Sequence, residues 1–143
     1  MLPRIFGVLA ALVCAGAAVA DPKFDVIEVP EHVYAGGWEH FVGGGIASFD
    51  CNDDGLPELY AAGGENPALM LRNVTAGAGA RLAFVADTPP ELALRHVTGA
   101  YPLDFDNDAV MDLVVLRAGR NVALRGLGNC RFAATELMGA STR

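Results

Sequence analysis

The sequence predicts an all-β protein made of two β-propeller-type blades, and three observations support this. Short apolar segments alternate with turn residues throughout the region after residue 42. Helical periodicity is weak there and is confined to PPELALRHV. The order of apolar segments, turns and acidic loops also occurs twice. Repeated four-stranded units of this length are typical of propeller blades.

Residues 1–20 have the features of a cleaved secretory signal. Arg4 precedes an apolar stretch over residues 5–18, and Ala18-Val19-Ala20 forms a small-x-small cleavage site before Asp21. The stretch is shorter than the roughly 20 residues that a membrane span needs. An uncleaved anchor is the alternative. We therefore expect a secreted or periplasmic protein with no membrane span after signal cleavage.

Composition narrows the possible functions. The chain has 143 residues, of which 52% are hydrophobic, and a net charge of −7. This hydrophobic content favours a folded domain, and the negative charge argues against a nucleic-acid partner. Cys51 and Cys130 remain after the signal. In an oxidising compartment they would form either one disulfide or two buried free thiols, and the sequence leaves both open.

The predicted segments follow a polar lead-in over residues 21–42, in which FDVIEV (Phe24–Val29) alternates like a strand and Pro30 ends it. The first repeat, residues 43–90, contains the strand-like segments IASFD, ELYAAGG, ALMLRNV and RLAFVA. The second repeat, residues 91–143, contains HVTGAYPLD, MDLVVLR, NVALRG and CRFAA. Runs such as Leu113–Leu116 are apolar on both faces, which is typical of strands covered on both sides.

Each repeat has an acidic loop between its first two strands. The loops are FDCNDDGLPEL and LDFDNDAVMDL, and their first aspartates, Asp50 and Asp104, are 54 residues apart. Oxygen-bearing side chains at loop positions 1, 3, 5 and 9, with a backbone carbonyl at position 7, can surround a hard cation such as calcium. Glycine at position 6 permits the positive φ that this curl needs; Gly55 meets the requirement, whereas Ala109 does not.

The predicted metal ligands are therefore oxygen atoms only. They are Asp50, Asn52, Asp54, the Leu56 carbonyl and Glu58 in the first loop, and Asp104, Asp106, Asp108, the Val110 carbonyl and Asp112 in the second. Because no histidine or thiol takes part, zinc and copper are disfavoured at these loops. The strand-like flanks, together with Ala61 and Val115 at position 12, exclude an EF-hand. Two acidic surface turns without an ion are the alternative.

The remaining motifs do not predict catalysis. There is no nucleophile elbow and no dinucleotide-binding glycine motif. Each of His32 and His40 follows a glutamate, and a catalytic or metal role would require side chains that only the fold can bring together. Surface or packing roles are expected for them and for Trp38. We predict that the protein is not an enzyme.

The loop pattern D-x-[DN]-x-D-G-x-x-[DE]-L resembles the FG-GAP/VCBS repeat of integrin-α-type propellers. GGGIASFDCNDDGLPELYAAGG resembles, more narrowly, exported ASPIC/UnbV proteins related to cartilage acidic protein. The resemblance implies a β-propeller, calcium at both loops, and extracellular binding or scaffolding of a protein or glycan. Propellers close with about 4–8 blades, so we expect a fragment of a larger propeller. Part of a larger exported enzyme, or a truncated product without independent activity, is the alternative.

Overall fold

The computed structural model describes residues 21–135, so the predicted signal at residues 1–20 lies outside the described region. This region contains eight β-strands and one short 3-10 helix, Trp38–His40, and no α-helix. The strands are β1 (Ile46–Phe49), β2 (Glu58–Ala61), β3 (Leu69–Asn73), β4 (Phe84–Ala86), β5 (Val97–Leu103), β6 (Asp112–Arg117), β7 (Val122–Gly126) and β8 (Phe132–Thr135).

The strands form two antiparallel sheets, one from each half of the sequence. The orders are β1-β2-β3-β4 and β5-β6-β7-β8, so consecutive strands are always neighbours. Each sheet is an up-and-down meander of the propeller-blade type, and the all-β prediction is confirmed. The acidic loops connect β1 to β2 and β5 to β6, so they occupy equivalent positions in the two sheets.

One hydrophobic core serves both sheets. Met70 of the first sheet and Leu113 and Val115 of the second are almost fully buried. Phe49 and Phe132 meet edge to face between the sheets, with ring centroids 6.3 Å apart. Because apolar faces of both units close against each other, each unit depends on its neighbour for part of its hydrophobic stabilisation.

One predicted strand is absent, and the segment with weak helical periodicity is not a helix. FDVIEV forms no strand, and Phe24 and Val26 are 88% and 91% exposed. The alternating pattern was present, but no neighbouring strand pairs with this segment in residues 21–135. PPELALRHV forms a turn instead of a helix, in which the Leu92 N–H donates to the Pro89 carbonyl at 2.9 Å. The left-handed φ of 62° at His96 then redirects the chain into β5.

Gly64 lies where three segments of the chain meet. Its N–H donates to the Val97 carbonyl at 2.9 Å, and its carbonyl accepts from the His96 N–H at 2.6 Å. The Glu65 N–H donates to the Ala35 carbonyl at 2.8 Å. A Cβ at Gly64 would lie 2.0 Å from that carbonyl oxygen, so only glycine allows this approach. The junction holds the lead-in against both sheets.

Cys51 and Cys130 form a disulfide, with Cα atoms 4.7 Å apart. It joins the first acidic loop to the residues just before β8, so the alternative of two free thiols does not apply. Both cysteines are buried.

Over residues 21–135, the structure has no helix whose length and apolar character would let it cross a membrane.

Candidate metal sites in the acidic loops

The two acidic loops have the same backbone conformation. Residues at position 4, Asp53 and Asn107, have φ angles of 61° and 62°. Residues at position 6, Gly55 and Ala109, have φ angles of 78° and 65°. Ala109 therefore adopts the left-handed conformation that glycine would favour, at a cost on the order of 1–2 kcal/mol. The second loop keeps the curl of the first despite this less suitable residue.

The aspartate at position 1 organises each loop from within. Asp50 accepts from the Asp53 N–H at 2.8 Å and from the Gly55 N–H at 2.7 Å. Asp104 accepts from the Asn107 N–H at 2.6 Å and from the Ala109 N–H at 3.0 Å. Desolvation raises the pKa of Asp50, but its backbone N–H donors outweigh this effect and lower the pKa below the ordinary value. The carboxylate form is thus favoured.

The side chains at positions 3 and 5 gather beside position 1. In the second loop, carboxylate oxygens of Asp104, Asp106 and Asp108 lie within 4.8 Å of one another. In the first loop, the Asn52 amide donates to Asp54 Oδ2 at 2.8 Å. A cation at this loop would instead take the amide oxygen of Asn52.

The residues at position 7 are tied to the loops through their N–H groups. Leu56 donates to Asp54 Oδ1 at 2.8 Å, and Val110 donates to Asp108 Oδ1 at 2.9 Å. These equivalent bonds fix the backbone on either side of the predicted carbonyl ligands. The same local chemistry therefore shapes the exit from both loops.

The acids at position 9 are fully buried beneath the loops. Asp112 accepts from the Phe105 N–H at 2.9 Å and from the Gly126 N–H at 2.7 Å, so it fastens the second loop to β7. Glu58 accepts from the Cys51 N–H at 3.1 Å, while the disulfide sulfur of Cys51 lies 3.3 Å from the same oxygen. Sequence analysis had treated both acids only as metal ligands. The structure adds a role in anchoring the loop.

Glu58 differs from Asp112 in one respect. Its Oε1 is buried and makes no close hydrogen bond. Burial raises the pKa of Glu58, and the N–H groups of Cys51 and Asn73 oppose this shift only in part. A buried acceptor without a partner is costly. The base of the first loop therefore has a buried oxygen without a close hydrogen-bond donor.

The loops also differ in their neighbouring positive charge. Arg125 of β7 pairs with Asp106 and with Asp108, the Nη2 of Arg125 lying 3.0 Å from Asp108 Oδ2. The Val110 N–H and then Arg125 lower the pKa of Asp108, while Asp108 and Asp106 raise the pKa of Arg125. Within residues 21–135, no Arg, Lys or His forms an ion pair with an acid of the first loop.

Two arginines at equivalent positions have different ion-pair partners, and this explains the contrast. Arg72 occupies in β3 the place of Arg125 in β7, but it pairs with Asp87 at 2.7 Å. Asp87 follows β4, whereas the equivalent position at the end of β8 is Thr135. With no acid there, Arg125 pairs with the loop. The role of Arg125 was not predicted from the sequence. The available signal was its position in NVALRG, which is equivalent to that of Arg72 in ALMLRNV.

The two loops differ in how available their oxygen atoms are to a cation. Asp50, Asn52, Asp54 and Glu58 supply oxygen donors of the kind that hard cations prefer, and the unpartnered Glu58 Oε1 adds a buried acceptor. The second loop gathers three carboxylates, but two of them already bind a guanidinium.

Residues 50–115 match the family model of the FG-GAP-like repeat. The match begins at the first aspartate of the first loop and extends into β6, so it contains all the predicted ligands of both loops. No curated protein and no solved structure matches the chain.

Proposed function

We propose that this chain is an exported, calcium-binding β-propeller-repeat module that binds or scaffolds an extracellular protein or glycan. The FG-GAP-like repeat at residues 50–115 supports the propeller-type module. It also favours a non-catalytic role, because this family is generally non-catalytic. The narrower likeness to VCBS and ASPIC/UnbV proteins is part of the proposal and rests on the first loop and its flanking strands.

The first acidic loop is the observation that carries the calcium proposal. Its backbone is already curled around Asp50, and no basic side chain of the described residues neutralises its acids. The buried Glu58 has one oxygen without a close partner. Calcium would neutralise this charge and satisfy that oxygen. We assign the tighter site to the first loop and the weaker one to the second, where Arg125 competes.

The disulfide supports export. Disulfides form and persist mainly in oxidising compartments such as the periplasm and the extracellular space. The buried Cys51–Cys130 bond therefore agrees with a signal at residues 1–20. Calcium is also abundant outside the cell, where modules with weak sites of this kind remain loaded.

Calorimetry with calcium and thermal unfolding test the proposal. A ligand that binds only the folded state stabilises it by about 2.7 kcal/mol at a hundredfold excess over the dissociation constant. Millimolar calcium should therefore raise the melting temperature above that measured in chelator. Asp54→Asn should weaken the tighter site at least about tenfold. Asp53→Asn is the matched control. It removes the same charge from an exposed residue at position 4, which is not a predicted ligand.

An identical melting temperature in calcium and in chelator would refute structural calcium. Equal losses of affinity in Asp54→Asn and Asp53→Asn would show that the loop attracts cations only through its net charge.

A further inference from the structure

Among residues 21–135, His40 is the one residue outside the acidic loops with a buried side-chain polar atom that makes no hydrogen bond. It ends the 3-10 helix and is 1% exposed. Its Nδ1 is buried and makes no hydrogen bond. Buried polar atoms nearly always have a partner, and each exception requires an explanation.

Two carboxylates lie close to the His40 imidazole. Glu39 Oε1 is 3.6 Å from His40 Nδ1. Glu65, in the turn after the Gly64 junction, completes a group in which one ligand atom from each residue lies within 4.8 Å of the others. Glu39 and Glu65 are exposed, so their carboxylates can move by rotation about side-chain bonds. Arg95 donates to the Glu65 carbonyl at 2.7 Å and holds the turn in place.

The separations suit a small tetrahedral metal ion. Zinc binds imidazole nitrogen and carboxylate oxygen at about 2.0–2.2 Å, which places two ligand atoms roughly 3.4 Å apart at a tetrahedral angle. The observed 3.6 Å between Glu39 and His40 is close to this value. Only the exposed Glu65 would need to approach, and water would fill the fourth position.

His96 lies on the other side of the His40 ring. His40 Nε2 is 3.4 Å from His96 Nδ1, and the two rings stack with centroids 5.5 Å apart. A metal at Nδ1 of His40 requires the ring proton to be on Nε2. His96 Nδ1 can then accept a hydrogen bond from this N–H. Metal-binding histidines almost always have a second partner of this kind, which fixes their tautomer and orientation.

Gly36 packs closely against the His40 ring. A Cβ at this position would lie 2.4 Å from His40 Nδ1, and the backbone there has a φ of 146°. Side chains larger than hydrogen are therefore excluded from this side of the ring.

We propose that His40, Glu39 and Glu65 form a binding site for a borderline transition metal of the zinc class, with His96 as a positioning residue. The imidazole donor favours such ions over calcium, which prefers oxygen alone. The site would join the lead-in, which supplies Glu39 and His40, to the first sheet, which supplies Glu65. It shares no residue with the acidic loops, so it does not depend on the calcium proposal.

Titration of the full chain with Zn²⁺, in excess calcium and without a histidine tag, tests the site. Excess calcium competes with zinc at sites made of oxygen atoms alone, and so limits any contribution from the acidic loops. We expect one zinc per chain, and Glu39→Gln and Glu65→Gln should each weaken binding at least about tenfold. Both residues are exposed, so both variants should remain folded, which a melting curve checks. Glu28→Gln, another exposed glutamate of the lead-in, is the control and should bind zinc like the wild type.

Nitrogen NMR of the imidazoles provides a second readout. Zinc should change the His40 Nδ1 resonance, while Nε2 stays protonated. Absence of zinc binding by the wild type would overturn the proposal. Wild-type affinity in both Glu39→Gln and Glu65→Gln, or a metal-dependent change at Nε2 instead of Nδ1, would also overturn it.

Discussion

Arg125 lies against Asp106, with the guanidinium Nε 2.7 Å from the carboxylate Oδ2. The same arginine reaches Asp108 at 3.0 Å. Two of the predicted ligands of the second loop therefore share one positive charge that the protein itself supplies. In the first sheet, the equivalent Arg72 pairs with Asp87 instead of with an acid of the first loop. Two loops with the same backbone thus differ in the charge that a metal ion would meet.

Arg125→Gln should increase calcium affinity at the second loop. The change frees Asp106 and Asp108 from an exposed ion pair, and exposed pairs of this kind correspond to a gain on the order of 2–5-fold. The gain should shrink at high salt, because salt screens the arginine in the wild type. Calorimetry with the first loop disabled by Asp54→Asn would isolate the second site. Arg72→Gln is the matched control, and a similar gain in this variant would mean that only net charge matters.

Ala109→Gly should stabilise the second loop. Ala109 has a φ of 65°, and glycine adopts this conformation without the steric cost to Cβ. We expect an increase of about 1 kcal/mol in the free energy of unfolding, measured by urea titration in chelator. Gly55→Ala is the reverse control in the first loop, where a Cβ would meet no atom within 4 Å. It should lose a similar amount. If Ala109→Gly destabilises the protein, the left-handed backbone at position 6 is wrong.

The sequence predicted the loops and strands because their determinants are local. The carboxylate of Asp50 accepts hydrogen bonds from N–H groups no more than five residues ahead, and the carboxylate of Asp104 does the same. FDVIEV shows the limit of such patterns. It has a strand's alternation, but a strand also needs a neighbour with which to exchange hydrogen bonds, and the sequence does not reveal that none is present.

The missed features depend on contacts between distant residues. The cluster at His40 requires Glu65, from the far side of the first β-hairpin, and His96, which is 56 residues away in sequence. The pairing of Arg125 with the second loop goes with Thr135 at the position where the first sheet has Asp87. The disulfide was left open because sequence spacing did not show that residues 79 positions apart would meet.

Loss of the disulfide should destabilise the protein strongly. The bond closes a loop of about 80 residues, which the chain-entropy model values at roughly 3–5 kcal/mol. Cys51→Ser with Cys130→Ser should lower the free energy of unfolding by about this amount. Because Cys51 belongs to the first acidic loop, calcium affinity should also fall. Mass spectrometry of the wild type, prepared without reductant, should find no alkylatable thiol among these two cysteines. Two free thiols in the folded protein would contradict the bond.

Glu58 should give the stability of the calcium-free protein an unusual pH dependence. Burial raises its pKa above the ordinary value near 4.5, so the folded protein holds this proton more tightly than the unfolded chain does. Its contribution therefore becomes unfavourable as the pH rises from about 4.5 through the raised pKa. Relative to Glu58→Gln, the wild type should lose stability over this range in chelator, as measured by urea unfolding at several pH values.

Glu91→Gln provides a control of opposite sign. The hydrogen bond from Arg131 lowers the pKa of Glu91 below its ordinary value near 4.5. Glu91 therefore contributes stability at pH values above its ordinary pKa, and this contribution is lost as the pH falls through the lowered pKa. The wild type should therefore gain stability relative to Glu91→Gln as the pH rises toward about 4.5, and lose stability relative to Glu58→Gln as the pH rises above about 4.5. Calcium should reduce or reverse the Glu58 effect alone, because the bound cation favours the ionised carboxylate. The free energies of unfolding of the wild type and Glu58→Gln in chelator could instead change in parallel with pH. That result would mean that burial does not disfavour the ionised form of Glu58, and it would contradict the proposed role of Glu58 as a calcium ligand.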